Sequence, residues 1–358
     1  MHREGELIVK IGILTFHWAA NHGAVLQTYA SYYYLKNVLN IAKVEVIDYL
    51  PKSREINFKN AIRPNYPRVV LAKLGALRKE RRLKEFRSIL PLTRRYYSNE
   101  ELISSPPDMD LLIAGSDQIW NPSYVMHGES GPTPVYFLNF GTPECKKIAL
   151  SVSFGCTEYP NNAEEIVKPY VLKFNKISVR ENTGLNILEK FGVKDAVVTA
   201  DPTALLTREH YLSLCDDSAN CRKYTAVCFL RKKQKEARKN IKNMLNRMGN
   251  TVVNIEKKSM RGWLSGIREA SMMLTDSFHC VMMCLKLHTP FVVFTTNTGR
   301  EGMNDRLYTL LEYFGLTHRI VSGCEPVDLS ETFDWEKIDK TMEIYSSSLK
   351  DYLKNVVC

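Results

Sequence analysis

Residues 111–122 of the sequence read LLIAGSDQIWNP. Four consecutive apolar residues that pass directly into glycine and polar residues are typical of a buried parallel strand that ends at the edge of a sheet. Gly115 allows the chain to turn tightly there. Asp117 follows where open α/β sheets bind ligands, so its carboxylate could take a proton from a hydroxyl group. The alternative is that Ser116 or Asp117 only caps a helix or stabilises the turn.

Apolar runs of this kind alternate with helical patterns along most of the chain. Strands are expected at residues 8–15, 44–47, 111–114, 148–153, 177–179, 196–199, 225–230, 252–255, 272–274 and 291–294. Helices are expected at residues 24–39, 67–90, 162–174, 183–191, 232–248, 277–286, 305–314 and 335–357. The sequence therefore predicts an α/β protein with two Rossmann-like domains, residues 1–208 and 209–334, and a long C-terminal helix within residues 335–358.

The composition limits the class of protein. A chain of 358 residues is long for one core, and 44% apolar with 25% charged residues is typical of globular proteins. We recognise no signal peptide and no run near the roughly 20 apolar residues of a membrane span, so we expect a cytoplasmic protein. The nine cysteines show no C-x-x-C spacing, which indicates reduced thiols and no metal site.

The net charge of +10 favours anionic partners. Residues 78–95 hold eight Lys and Arg against two Glu, and residues 231–247 hold eight against one. Both segments overlap expected helices, so solvated helix faces are the simplest interpretation, and peripheral contact with the inner membrane face stays open. Neither segment carries the signature of a nucleic-acid-binding module, so no nucleic-acid partner is expected.

A second candidate site follows another expected strand, where residues 275–279 read TDSFH. Ser277 is a natural N-cap, and the N-terminus of a helix attracts anions. His279 falls in the first turn of that helix and is a good proton donor near neutral pH. The alternative is a capping serine followed by a structural histidine.

Three more segments place polar residues after strands. Arg180 follows the strand at 177–179, where its guanidinium could grip a carboxylate or phosphate, or form a surface pair with Glu181. Residues 200–203, ADPT, favour a structural turn. The loop at residues 15–27 suits ligand binding, although its polar groups could instead bond within the loop. Its polar side chains include His17, Asn21, His22 and Gln27.

Several common motifs are absent. The sequence contains no G-x-G-x-x-G, P-loop, H-E-x-x-H or G-x-S-x-G, which argues against dinucleotide enzymes, Walker-type ATPases, zinc proteases and serine hydrolases. Residues 108–110, DMD, imitate the metal-binding D-x-D of some glycosyltransferases, but they precede a strand instead of following one.

The segments together resemble the polysaccharide pyruvyl transferase family. The resemblance extends from about residue 10 to residue 319 and rests on the order of its motifs. These are IGILTF (11–16), NHGAVLQ (21–27), GSDQIWNP (115–122), SFG (153–155), SVRE (178–181), DPT (201–203), TDSFH (275–279) and NDRL (304–307). The resemblance implies a GT-B-like fold of two Rossmann-like domains with the active site between them.

The family's chemistry implies a pyruvyltransferase that forms a ketal on a hydroxyl pair of a sugar. The donor would be phosphoenolpyruvate, with no separate cofactor and no metal. The acceptor would belong to a capsule or exopolysaccharide and is often lipid-linked or nucleotide-linked. The alternatives are a GT-B glycosyltransferase that uses a nucleotide sugar and a non-enzymatic scaffold for polysaccharide assembly.

The resemblance also implies roles for individual residues. Asp117 would be the base on the acceptor side, His279 the acid on the donor side, and Arg180 part of a clamp for the donor's carboxylate and phosphate. Some relatives carry Arg-Leu where this chain has Ser277-Phe278, so the missing anion contact would fall to Arg300 or Arg306. Further substrate contacts are expected from Ser116, Ser277, Asn21 and Gln27.

Overall fold

The computed structural model describes most of the chain. The described residues are 10–54, 67–128, 130–216, 224–230, 241, 245, 251–295, 304–322 and 332–357. The chain divides into two compact units, Met1–Leu205 with Ser348–Cys358, and Leu206–Ser347.

The first unit contains a six-stranded parallel sheet. Its strands are β1 (Lys10–Leu14), β2 (Lys43–Val46), β3 (Leu111–Ala114), β4 (Lys146–Val152), β5 (Lys176–Val179) and β6 (Val197–Val198). They pair in the order β2-β1-β3-β4-β5-β6. Strand β3 is buried at every residue, as the unbroken apolar run predicts.

Helices cover this sheet. They are α1 (His22–Tyr33), α2 (Pro67–Arg87), α3 (Asn99–Ser104), α4 (Pro122–Met126), α5 (Asn161–Val171) and α6 (Asn182–Lys190). Trp120, from the segment after β3, is completely buried and stacks on Phe137 with ring centroids 4.6 Å apart. Its indole N–H donates a 2.9 Å hydrogen bond to the Tyr136 carbonyl, so the segment is fixed both by packing and by a polar contact.

The second unit contains a five-stranded parallel sheet. Its strands are β7 (Tyr224–Cys228), β8 (Val252–Asn254), β9 (Ala270–Thr275), β10 (Phe291–Thr295) and β11 (Ile320–Ser322), in the order β11-β10-β9-β7-β8. The described helices of this unit are α7 (Arg208–Ser213), α8 (Met260–Arg268), α9 (Phe278–Leu287) and α10 (Asp305–Tyr313). Helix α11 (Trp335–Val357) begins in this unit and ends in the first one. The predictions of two Rossmann-like domains and a long C-terminal helix are confirmed.

Some elements differ from the sequence-based expectation. The helix expected at 24–39 ends as an α-helix at Tyr33 and continues as a π-helix, Tyr34–Val38. The short helices α3, α4 and α7, helix α8 and strand β11 were not predicted. The helix expected at 232–248 lies almost wholly outside the described residues.

Each sheet has one point where the strand order reverses. In the first unit this point lies between β1 and β3, and in the second it lies between β7 and β9. Open α/β sheets bind ligands beyond the carboxyl ends of the strands at such points. Residues 115–118 follow β3 and residues 276–279 follow β9, so both candidate motifs lie at these positions.

Candidate active-site residues

Asp117 lies just beyond β3 in an uncommon backbone conformation. Its φ is +76°, in the left-handed region that non-glycine residues seldom adopt. Its carbonyl accepts a 3.0 Å hydrogen bond from the Ser153 amide, and its carboxylate accepts one of 2.9 Å from the Gln118 amide. Its side chain is 14% exposed. Strain that neighbouring contacts hold in place is often found at functional sites.

Arg180 forms a buried charge cluster behind Asp117. Its completely buried guanidinium donates a 2.8 Å hydrogen bond to Asp201 and lies 3.7 Å from an Asp117 carboxylate oxygen. The Glu181 carboxylate lies 3.9 Å from its Nε. Burial alone would lower the pKa of Arg180, but the nearby acids, led by Asp201, outweigh burial and raise it. The arginine therefore stays charged inside the protein.

Asp201 connects several of the sequence motifs. One oxygen accepts hydrogen bonds from the Thr203 amide at 2.9 Å and the Thr203 hydroxyl at 2.6 Å, which matches the structural turn expected there. The other accepts from Arg180, and from Ser116 at 3.2 Å. Ser116 is completely buried and also donates to the Ser151 carbonyl. The sequence did not predict that Asp201 pairs with Arg180. The one sequence feature that pointed to this pair is that each residue follows one of two neighbouring strands.

The loop after β1 is hydrogen-bonded to the segment that carries Ser116 and Asp117. Asn21 caps α1, accepting a 2.9 Å hydrogen bond from the Gly23 amide. Gln27 is completely buried and donates a 2.9 Å hydrogen bond to the Thr15 hydroxyl. Thr15 in turn donates to the Ser116 carbonyl at 2.9 Å. Asn21 and Gln27, both predicted to bind substrate, thus make internal contacts in this structure.

The SFG and GSDQIWN segments meet at Gly155. Its φ is +63°, and a Cβ added there would lie 2.8 Å from the Gln118 side chain and 2.9 Å from that of Asn121. Glycine is therefore required both by the backbone conformation and by the close approach of these two amides.

In the second unit, a hydrogen bond and a helix cap hold the segment after β9 that carries His279. The Asp276 carboxylate accepts a 2.7 Å hydrogen bond from the Leu230 amide, which ties the ends of β7 and β9 together. Ser277 caps α9, and His279, 6% exposed, lies in its first turn. The guanidinium of Arg306 lies 5.9 Å from the ring centroid of Phe278. The structure thus places Arg306 beside Phe278, the residue between Ser277 and His279, whereas Arg300 lies outside the described residues.

The sequence model of the polysaccharide pyruvyl transferase family matches residues 21–298. This chain belongs to that family. The resemblance found in the motifs is confirmed, and the family implies a pyruvate donor and a sugar or polysaccharide acceptor. A search among curated proteins finds no match.

The comparison with solved structures gives matches that extend over most of this chain. A functionally uncharacterised protein from Klebsiella pneumoniae is 14% identical with a TM-score of 0.41, over 84% of this chain and 97% of that one. The UDP-N-acetylglucosamine 2-epimerase of Rickettsia bellii is 10% identical with a TM-score of 0.45, over 98% of this chain and 99% of that one. The E. coli heptosyltransferase WaaC with ADP-2-deoxy-2-fluoro heptose is 12% identical with a TM-score of 0.38, over 94% and 99%.

Residues 108–110, the DMD sequence that imitates a metal-binding D-x-D motif, lie at the amino end of β3. Asp108, 84% exposed, forms a 2.6 Å ion pair with Lys10, and Asp110 accepts a 2.7 Å hydrogen bond from the Lys10 amide. Both acids therefore lie at the opposite end of β3 from Asp117. Among the described residues there is no group of three or more His, Cys, Asp or Glu that could hold a metal ion. No helix in the described ranges is long and apolar enough to cross a membrane.

Proposed function

We propose that this family member transfers pyruvate from phosphoenolpyruvate to two hydroxyl groups of a sugar and forms a cyclic ketal. One observation carries the proposal. Each unit presents one candidate acid–base side chain just beyond its sheet's reversal point, Asp117 after β3 and His279 after β9. The reaction needs one proton donor and one proton acceptor, and the sequence supplies a carboxylate and an imidazole at the two positions where such sheets bind ligands.

In the proposed reaction His279 gives a proton to the methylene carbon of phosphoenolpyruvate. The neighbouring carbon gains positive charge and bonds to a sugar hydroxyl oxygen, whose proton passes to Asp117. The bond from this carbon to the phosphate oxygen then breaks, and inorganic phosphate leaves. The second hydroxyl bonds to the same carbon and closes the ring, and the released phosphate accepts its proton. Asp117 then returns its proton to His279 through solvent. Asp117 thus acts as the base and His279 as the acid.

The anionic donor needs cationic partners and polar donors. The N-terminus of α9, capped by Ser277, attracts anions, and the nearby Arg306 adds a guanidinium. We assign the phosphate and carboxylate of the donor to this neighbourhood.

Arg180 is proposed to act on the same reaction. Direct contact between Arg180 and the donor stays a prediction. Its 3.7 Å approach to Asp117 and its pairing with Asp201 support a role in orienting the base, since the guanidinium is completely buried.

A lipid-linked acceptor and action in the cytoplasm at the membrane surface complete the proposal. The net charge of +10 supports attraction to anionic lipids and to phosphorylated acceptors.

The test measures phosphate release from phosphoenolpyruvate with a panel of galactose-, mannose- and glucose-type acceptors, followed by mass spectrometry of the acceptor. Acceptor-dependent release with the mass gain of a pyruvate ketal supports the proposal. We expect His279→Ala and Asp117→Asn each to lower turnover by at least about 100-fold, the usual contribution of general acid–base catalysis. Near-full turnover in either variant would overturn that residue's role. Cleavage of a nucleotide sugar without phosphate release would indicate a glycosyltransferase.

A further inference from the structure

A cavity of about 340 Å³ opens in the first unit beside the loop after β1. Its volume is within the range of small-molecule sites. Four cationic side chains and two carboxylates line it. These are Arg54, Lys84, Arg87 and Arg95, with Asp48 and Glu80.

Both carboxylates of the cavity form ion pairs with cationic side chains that also line it. Asp48 contacts Arg95 at 2.9 Å and His17 at 3.1 Å. Burial alone would raise the pKa of Asp48, but the hydrogen bonds and charges of these two partners outweigh burial and lower it, so this acid is ionised. Glu80 contacts Arg87 at 2.6 Å. These pairs fix the walls and use up the negative charge of the cavity.

Two cations of the cavity are not balanced in this way. Lys84 and Arg54 form no ion pair with any residue in the described part of the chain. Lys84 lies on the same face of α2 as Glu80 and Arg87, four residues after one and three before the other. The cavity therefore has an excess of positive charge, and an anion from solution is the natural complement.

An aromatic wall connects this cavity to the neighbourhood of Asp117. Trp18 and Arg54 line both the basic cavity and a smaller adjoining one, which Tyr124 also lines. The Arg54 guanidinium lies 5.9 Å from the ring centroid of Tyr124, so the cation and the aromatic wall are adjacent. Burial, and after it the charge of Asp117, raises the pKa of the Tyr124 phenol. Thr15, two residues before His17, is bonded to the Ser116 carbonyl, so the cavity loop and the Asp117 segment are joined directly.

We infer that the basic cavity binds a phosphate or diphosphate group carried by the acceptor, with the sugar ring against Tyr124 and its hydroxyl pair at Asp117. Guanidinium groups match phosphate oxygens in geometry and charge, and aromatic faces suit the apolar side of a sugar ring. This inference rests on the proposed function, which already includes a phosphorylated acceptor, and adds the cavity in which the acceptor's phosphate binds. A nucleotide-linked and a lipid-linked sugar share this chemistry.

The first experiment measures binding without turnover. Inorganic pyrophosphate and galactose 1-phosphate are titrated into the full-length protein in a calorimeter, with galactose as the uncharged comparison. We expect Arg54→Ala/Lys84→Ala to weaken pyrophosphate binding by about tenfold or more, a change of about 1.4 kcal/mol, because the variant removes two cationic hydrogen-bond donors. Arg78→Ala is the matched control, because Arg78 is an exposed cation on α2 that does not line the cavity.

Pyrophosphate binding that is absent, or equally strong in the double variant and the control, would overturn the inference. Because pyrophosphate binding requires no phosphoenolpyruvate, it can succeed even where the proposed reaction fails. Conversely, ketal formation that is equally efficient on free and phosphorylated sugars would support the reaction and reject the cavity's role. Comparing a uridine diphosphate sugar with a short-chain isoprenyl diphosphate sugar as acceptors then identifies which carrier the protein uses.

Discussion

Arg180 carries its charge at a position from which water is excluded. A buried charge is tolerated only where opposite charges and hydrogen bonds replace its hydration. Asp201 provides the closest contact at 2.8 Å, and Asp117 and Glu181 lie farther away at 3.7 Å and 3.9 Å. The stability of the pair and the orientation of Asp117 therefore depend on the same residue, Asp201.

Asp201→Asn tests this dependence. The amide retains an oxygen that can accept from Thr203 but removes the negative charge, so we expect a loss of about 3 kcal/mol in the free energy of unfolding. We also expect a fall in kcat larger than any rise in the KM for phosphoenolpyruvate, because the residue positions Asp117 and does not itself bind the donor. Urea unfolding and steady-state kinetics provide both measurements. Asp195→Asn, at an exposed site in the same unit, is the control, and equal stability of the two variants would contradict the account.

Cys156 gives a pH-dependent test of the same neighbourhood. Burial, and after it the charge of Glu181, raises the pKa of the Cys156 thiol to about 11. Only the thiolate is nucleophilic, so at pH 8 we expect iodoacetamide to modify Cys156 about 100-fold more slowly than a thiol of ordinary pKa. The rate should rise with pH up to about 11. Timed alkylation with peptide mass spectrometry measures it, and a rate that levels off below pH 9 would disprove the assignment.

Among the elements, strands that enter the candidate site could be predicted, whereas some helices could not. Strand β3, which leads into Asp117, is a continuous apolar run, and that pattern is typical of buried parallel strands. Helix α8 was not predicted because Gly262 and Gly266 weaken its helical pattern. Gly266 is needed for packing, since a Cβ added there would lie 2.8 Å from a side-chain carbon of Ile255.

Contacts in the candidate site could be predicted only where the two partners are close together in the sequence. The partners Ser116 and Asp201 are separated by 85 positions, and no local pattern specifies such a pair. The capping role of Ser277 involves an amide three residues away, so the sequence predicted it. The residues of the site could thus be proposed from strand ends, but their buried connections could not.

Asp276 provides a prediction about the joint between β7 and β9. Asp276→Ala removes the acceptor of the Leu230 amide, and an amide without its acceptor costs about 1–3 kcal/mol. We expect faster hydrogen exchange in a peptide that covers residues 224–230. Asp276→Asn keeps a side-chain oxygen at this position and should preserve most of the protection. Unchanged exchange in the alanine variant would show that the bond contributes nothing to this joint.

In the whole molecule, the chain leaves the first unit after Leu205 and returns to it at Ser348, within helix α11. Leu349 and Leu353 in the returning segment are completely buried. The Tyr352 hydroxyl donates a 2.9 Å hydrogen bond to the Ala149 carbonyl in β4, and burial raises the pKa of that hydroxyl. The sequence predicted the helix from its period, but a helical pattern does not specify which sheet the helix contacts. The last residues of the chain thus help to stabilise the sheet that carries Asp117.

Leu353→Ala tests whether this C-terminal contact stabilises the first unit. Removing a completely buried leucine side chain costs about 2–5 kcal/mol, because apolar contacts are lost and a cavity is left. Lys354→Ala changes the adjacent exposed residue and controls for effects on the helix itself. Limited proteolysis in increasing urea, with mass spectrometry of peptides from residues 10–205, reports the opening of the first unit. We expect those peptides to appear at lower urea in Leu353→Ala alone. If both variants open at the wild-type concentration, the sheet is stable without the returning helix, and Asp117 is held by the residues before Leu205 alone.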